Sequence, residues 1–177
     1  MIAAAPYDSP LGRLWLAADD SGVTGVWFVE EKDEACFRSP PYTVRETPIL
    51  AETKRWLDVY FCGEAPAFMP PLHPIGSAFQ QKVWRILRRI PYGTTRTYGD
   101  IAAEIAREEG AGKMSAQAVG GAVGHNDISI LIPCHRVVGK SGSLTGFAAG
   151  LEKKIHLLTI EKVDMRRFFV PKRDGTR

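Results

Sequence analysis

The chain of 177 residues is long enough for one ordinary domain or for two small ones that share a core. Its composition, 45% hydrophobic and 24% charged, is that of a globular protein. No apolar run approaches the length of a membrane span, and the first residues lack the basic start and apolar stretch of a secretory signal. The formal net charge of +3 permits nucleic-acid binding but does not argue for it. These features argue against a membrane or secreted protein.

The three cysteines, Cys36, Cys62 and Cys134, form an odd set without the spacing of metal ligands. We therefore expect a reducing cytoplasm, at least one free thiol and no metal site. Cys36 and Cys62 are interpreted as structural residues.

The first part of the chain predicts a small α+β unit. Residues 14–17 and 23–28 are rich in strand formers and flank a turn signal at 19–22, which predicts a hairpin. Apolar residues at helical spacing predict a helix over residues 49–60. Three prolines and a glycine in residues 68–76 predict a linker.

The second part of the chain predicts helices. An apolar stripe predicts one over residues 78–90, and Thr97 with Asp100 has capping-box spacing at the start of a short helix. After a glycine-containing break, Ser115 can cap a further helix over residues 116–124. Two short helices separated by a tight break indicate a helix-turn-helix.

The helix over residues 116–124 carries apolar residues on one side and Gln117, Gly120, Gly121 and Gly124 on the other. Each glycine lowers helix stability by about 1 kcal/mol relative to alanine. Two explanations are open: close packing against another helix, or close approach of a bulky partner to the bare backbone.

The next segment carries the candidate nucleophile. Residues 128–132 are apolar and predict a buried strand or extended segment, which Pro133 ends, so that Cys134 lies in a loop. His135 and Arg136 follow at once, and a base or a positive charge near a thiol favours the nucleophilic thiolate. Cys134 is therefore the candidate nucleophile, although a cysteine after an apolar run is most often a small buried hydrophobe.

Glu161 is the candidate third member of this group. It lies three residues after Leu158 and four after Leu157 in a helix predicted over residues 150–162, so it should point partly inward. A carboxylate near the core needs a partner, and a carboxylate bound to His135 would orient the imidazole and raise its basicity. The alternative is a solvated residue near a helix end.

The segment Ile132-Pro133-Cys134-His135-Arg136-Val137-Val138 closely resembles the active-site motif of the O6-alkylguanine-DNA alkyltransferases, also called methylated-DNA–protein-cysteine methyltransferases. Other segments resemble family landmarks in the family's order: residues 79–80, 83–84, 90–93, 97–102 and 118–122, Asn126, Gly146, Lys154, residues 157–158 and Glu161. The resemblance covers about residues 78–161, and the N-terminal part matches more loosely at 9–12 and 60–63.

The resemblance implies an α+β fold, with a small ribonuclease-H-like N-terminal α/β unit and a helical C-terminal domain that contains a winged-helix-like helix-turn-helix. The expected division is an N-terminal domain over residues 1–76, a DNA-binding and alkyltransferase domain over 77–165, and a tail over 166–177. The resemblance also implies a monomer that needs no cofactor and repairs double-stranded DNA containing O6-alkylguanine, with O4-alkylthymine as a second candidate lesion.

The resemblance further implies how the site works. Cys134 would accept the alkyl group irreversibly and once, His135 would act through a water as its base, and Glu161 would orient His135. Asn126 would brace the active-site turn against the recognition helix. Tyr98 would help rotate the damaged nucleotide out of the duplex and would hydrogen-bond to the flipped base.

The residues implied to meet DNA or the flipped base are Tyr98, Ser115, Gln117, Gly120, Gly121, Val137, Phe147 and Ala148. The main chain around Cys134, Val137 and Ala148 would bind the guanine edges. Phe147 would lie on the pocket lid, where a tyrosine is common in the family. The helix that begins near Ser115 would enter the minor groove, which would explain its glycines. Gln117 stands where the family usually has arginine.

Three other functions agree with parts of the sequence. A non-catalytic relative that binds alkylation damage would lack the acceptor cysteine, whereas a cysteine hydrolase would use Cys134 and His135 with turnover. A simple helix-turn-helix protein would not need Cys134. The intact mass of the protein after incubation with methylated DNA separates all of these functions from alkyl transfer.

Overall fold

The structure is a computed structural model and describes residues 1–172. A four-stranded sheet covered by a helix forms the N-terminal part, and further helices with a two-stranded sheet form the C-terminal part. Apolar side chains of both parts join in one buried core, so the two parts pack against each other. No helix within residues 1–172 is long and apolar enough to cross a membrane.

The N-terminal sheet has the strand order β3-β2-β1-β4. Its strands are β1 (Ile2–Ser9), β2 (Gly12–Ala18), β3 (Val23–Phe28) and β4 (Tyr42–Val44). β2 pairs antiparallel with β1 and β3, and β4 pairs in parallel with β1. The predicted hairpin is confirmed as β2 and β3, and its turn is fixed because the Asp19 carboxylate accepts hydrogen bonds from the N–H groups of Ser21 and Gly22.

The sequence does not predict β1 and β4. β1 contains three consecutive alanines and Pro6, which are poor strand formers, and β4 is only three residues long. β1 pairs with a neighbour on each side, and this arrangement buries Ala3, Ala4 and Ala5. Tertiary pairing therefore determines this strand more than its own residue preferences do.

The helix predicted before the linker is confirmed as α1 (Pro48–Phe61). Thr47 caps its start by accepting a hydrogen bond from the N–H of Leu50, and a proline occupies the first turn, where it costs no hydrogen bond. The buried side of α1 packs on β1 and β2 and ends in the fully buried Tyr60. α1 thus brings a tyrosine from the N-terminal part into the interior.

The predicted linker is part of an irregular connection, residues 62–77. It runs along the edge of β3, where the Val23 N–H donates to the Pro71 carbonyl and the His73 N–H donates to the Val23 carbonyl, both at 2.8 Å. These bonds cover backbone groups that an edge strand would otherwise leave unpaired.

The C-terminal part consists of α2 (Ala78–Leu87), β5 (Arg96–Thr97), α3 (Tyr98–Glu108), α4 (Ala116–Gly124), β6 (Val137–Val138) and α5 (Leu151–Ile160). The capping box of Thr97 and Asp100 is present with both of its hydrogen bonds, and Ser115 caps α4 as predicted. α2 ends three residues before the predicted end, because residues 88–90 continue in tighter turns. α3 and α4 are the two helices of the helix-turn-helix, and β5 and β6 pair in parallel beside them.

Residues 128–132 are buried as predicted, but the predicted strand or extended segment is wrong, because the chain turns from Ser129 onward. Ile130 has a left-handed backbone (φ 71), which a strand does not allow. The start of the segment pairs with β3, since the Ser129 N–H donates to the Val26 carbonyl at 3.1 Å, and the chain then turns. Burial without a ladder is possible here because the side chain of Asn126 binds the backbone of the turn.

The cysteines outside the turn do not have the structural role that the sequence suggested. Cys36 and Cys62 are exposed thiols, so they contribute nothing to the core. All three cysteines of the chain are free. Within residues 1–172, no three His, Cys, Asp or Glu side chains are grouped in a way that could hold a metal ion.

The predicted tail, residues 166–177, extends beyond the described residues at 173–177. Its described part begins within a short 3₁₀ helix, Met165–Arg167. The Phe169 carbonyl then accepts a hydrogen bond from the Leu144 N–H at 2.8 Å, which fastens this stretch to the loop before α5.

Candidate active site

Cys134 begins a single 3₁₀ turn, Cys134–Arg136, directly after Pro133. Its N–H donates to the Ile132 carbonyl at 2.8 Å, and the Arg136 N–H donates to the Pro133 carbonyl at 3.0 Å, so the chain reverses here. Cys134 is 6% exposed and borders a small pocket, whereas His135 and Arg136 are buried in the interior. The turn therefore directs the side chain of Cys134 toward the pocket and those of His135 and Arg136 into the interior.

Asn126 links this turn to the end of α4. Its side-chain amide donates to the carbonyl oxygens of Ile132 (2.9 Å) and Ile128 (3.3 Å), and its side-chain oxygen accepts from the Ile128 N–H (3.0 Å). Its own N–H donates to the Val123 carbonyl of α4 at 3.3 Å. One side chain thus holds three backbone groups, and the contact expected between helix and turn is present.

Glu161 follows α5 directly as its C-cap and is 2% exposed, so the interpretation as a solvated residue is wrong. Its Oε1 lies 2.6 Å from Nε2 of His135 and accepts a hydrogen bond from the Tyr60 hydroxyl at 2.9 Å. Its Oε2 accepts from the Gly93 N–H at 3.0 Å. These donors offset the cost of burying a carboxylate.

Arg136 is not a free positive charge beside the thiol, contrary to the sequence interpretation. Its guanidinium donates to both oxygens of Glu161 at 2.9–3.1 Å and to the Ile90 carbonyl at 2.7 Å. A buried guanidinium requires such a partner, and the turn directs it toward Glu161 and away from Cys134. We call Tyr60, Cys134, His135, Arg136 and Glu161 the acid–base cluster.

The hydrogen bonds assign the tautomer of His135. Burial opposes the charge on Glu161, but hydrogen bonds and charge from His135 and Arg136 outweigh it and hold the pKa of the carboxyl well below its usual range. Because an ionised carboxylate only accepts, Nε2 of His135 carries the ring proton. Nδ1 is therefore unprotonated, and it is buried without a hydrogen-bond partner among the described residues.

The protonation states of His135 and Cys134 follow from burial. Burial lowers the pKa of His135 despite its bond to Glu161, so the ring is neutral at neutral pH and Nδ1 can act as a base. Burial also raises the pKa of the Cys134 thiol, against a hydrogen bond from Asn126 and the charge of Lys154. The resting residue is thus a thiol, not the thiolate that the sequence suggested, and it needs a base in order to react.

Lys154 supplies the positive charge that the sequence assigned to Arg136. It is fully buried, and its ammonium group donates to the carbonyls of Val137 (2.6 Å), Thr145 (3.0 Å) and Gly146 (3.5 Å). Burial lowers the pKa of Lys154 to about 8, so the group is mostly charged at neutral pH. Lys154 thus links the loop that contains Thr145 and Gly146 to β6. Because it already binds the Val137 carbonyl, a nucleobase that bound the same carbonyl would use its second lone pair.

Four of the eight residues expected to meet DNA or the flipped base line a groove of about 1100 Å³ between α4 and the start of α3. Tyr98, Gln117, Gly120 and Gly121 line it, together with Lys140. The Tyr98 hydroxyl donates to a carbonyl of the loop over the thiol at 3.2 Å. Burial and the neighbouring Cys134 raise the pKa of Tyr98, so the residue that lines the groove also lies near the nucleophile.

Packing inside the protein does not explain the glycines of α4. A Cβ atom at Gly121 or Gly124 would meet no atom of the described residues within 4 Å, and one at Gly120 would meet the Tyr98 ring only at an ordinary 3.8 Å. α4 packs on α2 and α3 through its opposite, apolar side. The explanation by close helix packing is therefore wrong. We call Gln117, Gly120, Gly121 and Gly124 the glycine side of α4.

The pocket at the thiol is closed. Asn126, Cys134, Phe147 and Ala148 line it, and its volume is about 10 Å³. That volume holds about one water molecule and no purine. Phe147 and Ala148 border the pocket of Cys134, and a flipped base of the kind that the resemblance implies could reach the thiol only if their loop moved.

Tyr60, Gly93 and Lys154 belong to the site although the sequence reasoning gave them no role. Tyr60 and Gly93 are 101 and 68 residues from Glu161, and no local pattern connects such distant positions. Lys154 left a signal, because it lies three residues after Leu151 and four before Leu158, on the predicted buried side of α5. A lysine at such a position needs a buried acceptor.

The sequence matches two parts of one protein family. Residues 2–74 match the description "6-O-methylguanine DNA methyltransferase, ribonuclease-like domain", and residues 78–163 match "6-O-methylguanine DNA methyltransferase, DNA binding domain". Together the two matches span nearly all of the chain.

Individual proteins resemble the chain over most of its length. It is 42% identical over 158 residues to the methylated-DNA–protein-cysteine methyltransferase of Haemophilus influenzae, which covers 89% of this chain and 84% of that protein. Its structure is similar to that of Mycobacterium tuberculosis O6-methylguanine methyltransferase, with a TM-score of 0.77, 41% identity, and 92% and 93% of the two chains covered. Mycobacterium tuberculosis OGT in complex with DNA gives a TM-score of 0.76, 39% identity and 94% coverage of both chains.

Proposed function

The chain belongs to the 6-O-methylguanine DNA methyltransferase family, and we propose that it repairs DNA by moving the alkyl group of O6-alkylguanine to its own Cys134. The observation that carries this assignment is the geometry around His135, whose Nε2 is bound to Glu161 and whose Nδ1 is left as a free base within the same turn as a buried thiol.

The protonation states support a definite order of events. The thiol of Cys134 loses its proton, through a water, to Nδ1 of His135, and the imidazolium is stabilised by Glu161. The thiolate sulfur then attacks the alkyl carbon and forms a C–S bond, while the electron pair of the C–O bond returns to guanine. Guanine takes up one proton in place of the alkyl group and the imidazolium of His135 gives one up to water, so the proton that Cys134 lost is accounted for.

The product explains why the protein should act once. A thioether has no proton to give up, and the thiolate that would have to leave from it is a poor leaving group, so Cys134 is not regenerated. The cluster contains a base for the thiol, but the described residues hold no second acceptor thiol beside it. The activity is therefore a stoichiometric transfer.

The reactive carbon of an alkylated guanine lies inside the base stack, so the nucleotide must be rotated out at a cost of a few kcal/mol. The glycine side of α4 supports this step, because it offers bare backbone to the minor groove. Tyr98 lies between that face and Cys134, where it can guide the base. O4-alkylthymine presents an alkyl group on a similar edge and is the second candidate lesion.

We also propose that the protein acts as a monomer in the cytoplasm. Two of its three cysteines are exposed free thiols, and a reducing compartment preserves such groups. The glycine side of α4 and the closed pocket belong to one chain, so a single copy carries both the DNA face and the nucleophile.

The test is the intact mass of the protein after incubation with duplex DNA containing O6-methylguanine. Wild type should gain one methyl group per molecule, and peptide mapping should place it on Cys134. Cys134→Ala should gain none and should still bind the duplex, since the side chain is 6% exposed and lies off the groove. Cys36→Ala and Cys62→Ala are the matched controls and should be methylated like wild type.

Three results would contradict the assignment. Methylation mapped to Cys36 or Cys62 would remove Cys134 from its role. Repair of more lesions than there are protein molecules would show turnover, as a hydrolase requires. Binding of the lesion by wild type with no gain in mass would favour the non-catalytic damage-binding alternative.

A further inference from the structure

Tyr60 brings a hydroxyl group from the N-terminal part of the molecule into the acid–base cluster. It lies in the last turn of α1 and is fully buried. Its hydroxyl oxygen is 2.9 Å from Oε1 of Glu161 and 3.3 Å from Nε2 of His135. Tyr60 therefore touches both members of the pair that activates the thiol.

The direction of the hydrogen bond can be assigned. Burial, with Glu161 adding to the shift, raises the pKa of Tyr60 far above its ordinary value, so the hydroxyl keeps its single proton. Nε2 of His135 already donates its own proton to Glu161. The Tyr60 proton therefore goes to Oε1 of Glu161, and the 3.3 Å contact places the hydroxyl oxygen beside the Nε2–H group.

The ring that carries this hydroxyl is held on several sides. It stacks on Trp56 with centroids 5.4 Å apart, and it meets Phe61 and Tyr92 edge-on at 5.4 and 6.1 Å. Because the ring is packed in this way, its hydroxyl is a donor in a fixed position.

We propose that Tyr60 is a positioning residue for alkyl transfer, whose hydroxyl fixes the carboxylate of Glu161 and thereby the orientation of His135. This proposal rests on the proposed function, in which His135 takes the proton of Cys134. Donors from Tyr60, His135 and Arg136 converge on the same oxygen of Glu161. A donor that draws charge from this oxygen also weakens the attraction of the carboxylate for the imidazolium, so it helps to keep the base uncharged.

The experiment measures single-turnover alkyl transfer from O6-methylguanine duplex DNA at saturating DNA, as a function of pH, for wild type and Tyr60→Phe. The variant keeps the packed ring and removes only the hydroxyl. The rate constant on the pH plateau should fall about tenfold, the effect of one buried hydrogen bond to a charged group. The acid side of the profile should move to higher pH, because the freed carboxylate binds the imidazolium more tightly. The final amount of methylated protein should match wild type.

Tyr92→Phe is the matched control. Tyr92 packs edge-on against Tyr60, but its hydroxyl donates to the Ile160 carbonyl at 3.2 Å and not to Glu161. This variant removes a hydroxyl from the same aromatic group and should keep the rate constant and the pH profile of wild type.

Three results would overturn the proposal. The first is a Tyr60→Phe protein with the rate constant and pH profile of wild type. The second is a loss confined to the final amount of methylated protein, which would mean that Tyr60 only stabilises the fold. The third is an equal loss in Tyr92→Phe, which would assign the effect to packing. Failure of the proposed function is a separate result, because wild type itself would then gain no methyl group on Cys134.

Discussion

The acid–base cluster is built around the active-site turn, the glycine side lies on α4, which Asn126 links to that turn, and the two regions depend on opposite features. In the cluster, buried charges contact one another, as Arg136 and Glu161 do at 2.9–3.1 Å. On the glycine side, a Cβ atom at Gly121 or Gly124 would meet no atom of residues 1–172 within 4 Å. The cluster depends on direct contacts between its side chains. The glycine side depends on the absence of side-chain atoms, which leaves the backbone of α4 exposed.

Both regions make the fold less stable than it would be with apolar residues in the cluster and alanines in place of the glycines. Buried ion pairs seldom stabilise more than apolar residues of the same size would, and glycines within a helix cost about 0.5–1 kcal/mol each. The comparison therefore separates two kinds of substitution. Changes in the cluster should alter the rate of transfer at saturating DNA, and changes on the glycine side should alter DNA affinity with the chemistry intact.

The largest effect is expected from His135→Phe. This change removes the base but leaves Glu161 paired with Arg136, so the fold should be retained. General-base assistance is typically worth about 100- to 10,000-fold, and the single-turnover rate constant should fall within that range. DNA affinity should change little. The measurements are single-turnover transfer and equilibrium binding of the same duplex.

Glu161→Gln is the second test of the cluster, because this variant should lose both transfer rate and folding stability, whereas His135→Phe should lose only rate. It keeps a hydrogen-bonding side chain but leaves the buried charge of Arg136 without its partner, which costs about 3–5 kcal/mol in typical buried pairs. Denaturant unfolding should show this loss for Glu161→Gln and not for His135→Phe. If either variant kept its rate and lost affinity instead, the cluster would be a DNA-binding feature.

Smaller effects are expected from Gly121→Ala, which should raise the stability of the fold and lower the affinity for DNA. Its added Cβ meets no atom of the described residues within 4 Å, so the free energy of unfolding should rise by about 0.5–1 kcal/mol. The same methyl group would stand between the backbone of α4 and the minor groove, so DNA affinity should fall about tenfold, the value of 1.4 kcal/mol of lost contact. Chemical denaturation and a binding titration measure the two quantities.

Ala51→Gly is the control for this prediction. It makes the reverse change in α1, away from the groove, and should lower stability by a similar amount while DNA affinity stays at the wild-type value. A Gly121→Ala protein that gains stability and keeps full affinity would show that DNA does not approach the backbone of α4.

Much of the fold follows from local sequence, and the failures have a common cause. The hairpin turn and the caps at Thr97 and Ser115 are short-range features, and the structure has them where the residues predict. β1 and the turn at 128–132 depend on distant partners, namely the strands beside β1 and the side chain of Asn126. An apolar run predicts that a segment is buried, but it does not predict which groups its backbone will bind.

The same limit applies to the site. The nucleophile and its neighbour are adjacent in sequence, and the helical spacing of Glu161 correctly indicated an inward position. The assignment of Arg136 as the charge near the thiol failed, because a 3₁₀ turn separates side chains that sequence places side by side. Tyr60 lies 75 residues from His135, so only the packing of the two parts of the chain brings them together.

The smallest effect is expected from the charge at residue 117. Gln117 is exposed near the start of α4 and lines the groove beside Gly120 and Gly121, where Lys140 already supplies one positive charge. Gln117→Arg adds a second. If this arginine meets a phosphate, one more counterion is released on binding, so the slope of log affinity against log salt should steepen by about one unit. Affinity at low salt should rise accordingly.

Gln117→Ala completes the series, because it removes the hydrogen-bonding amide without adding charge. Its salt slope should equal that of wild type, and its affinity should fall only by what the amide contributes to an unpaired base or to the backbone. The transfer rate at saturating DNA should be the same for all three proteins, since Gln117 lines the groove and the pocket at Cys134 is lined by other residues. Identical affinities and salt slopes for wild type, Gln117→Arg and Gln117→Ala would show that residue 117 does not meet DNA. The proposal that the glycine side of α4 binds DNA would then fail, whereas the proposed alkyl transfer to Cys134 would be unaffected.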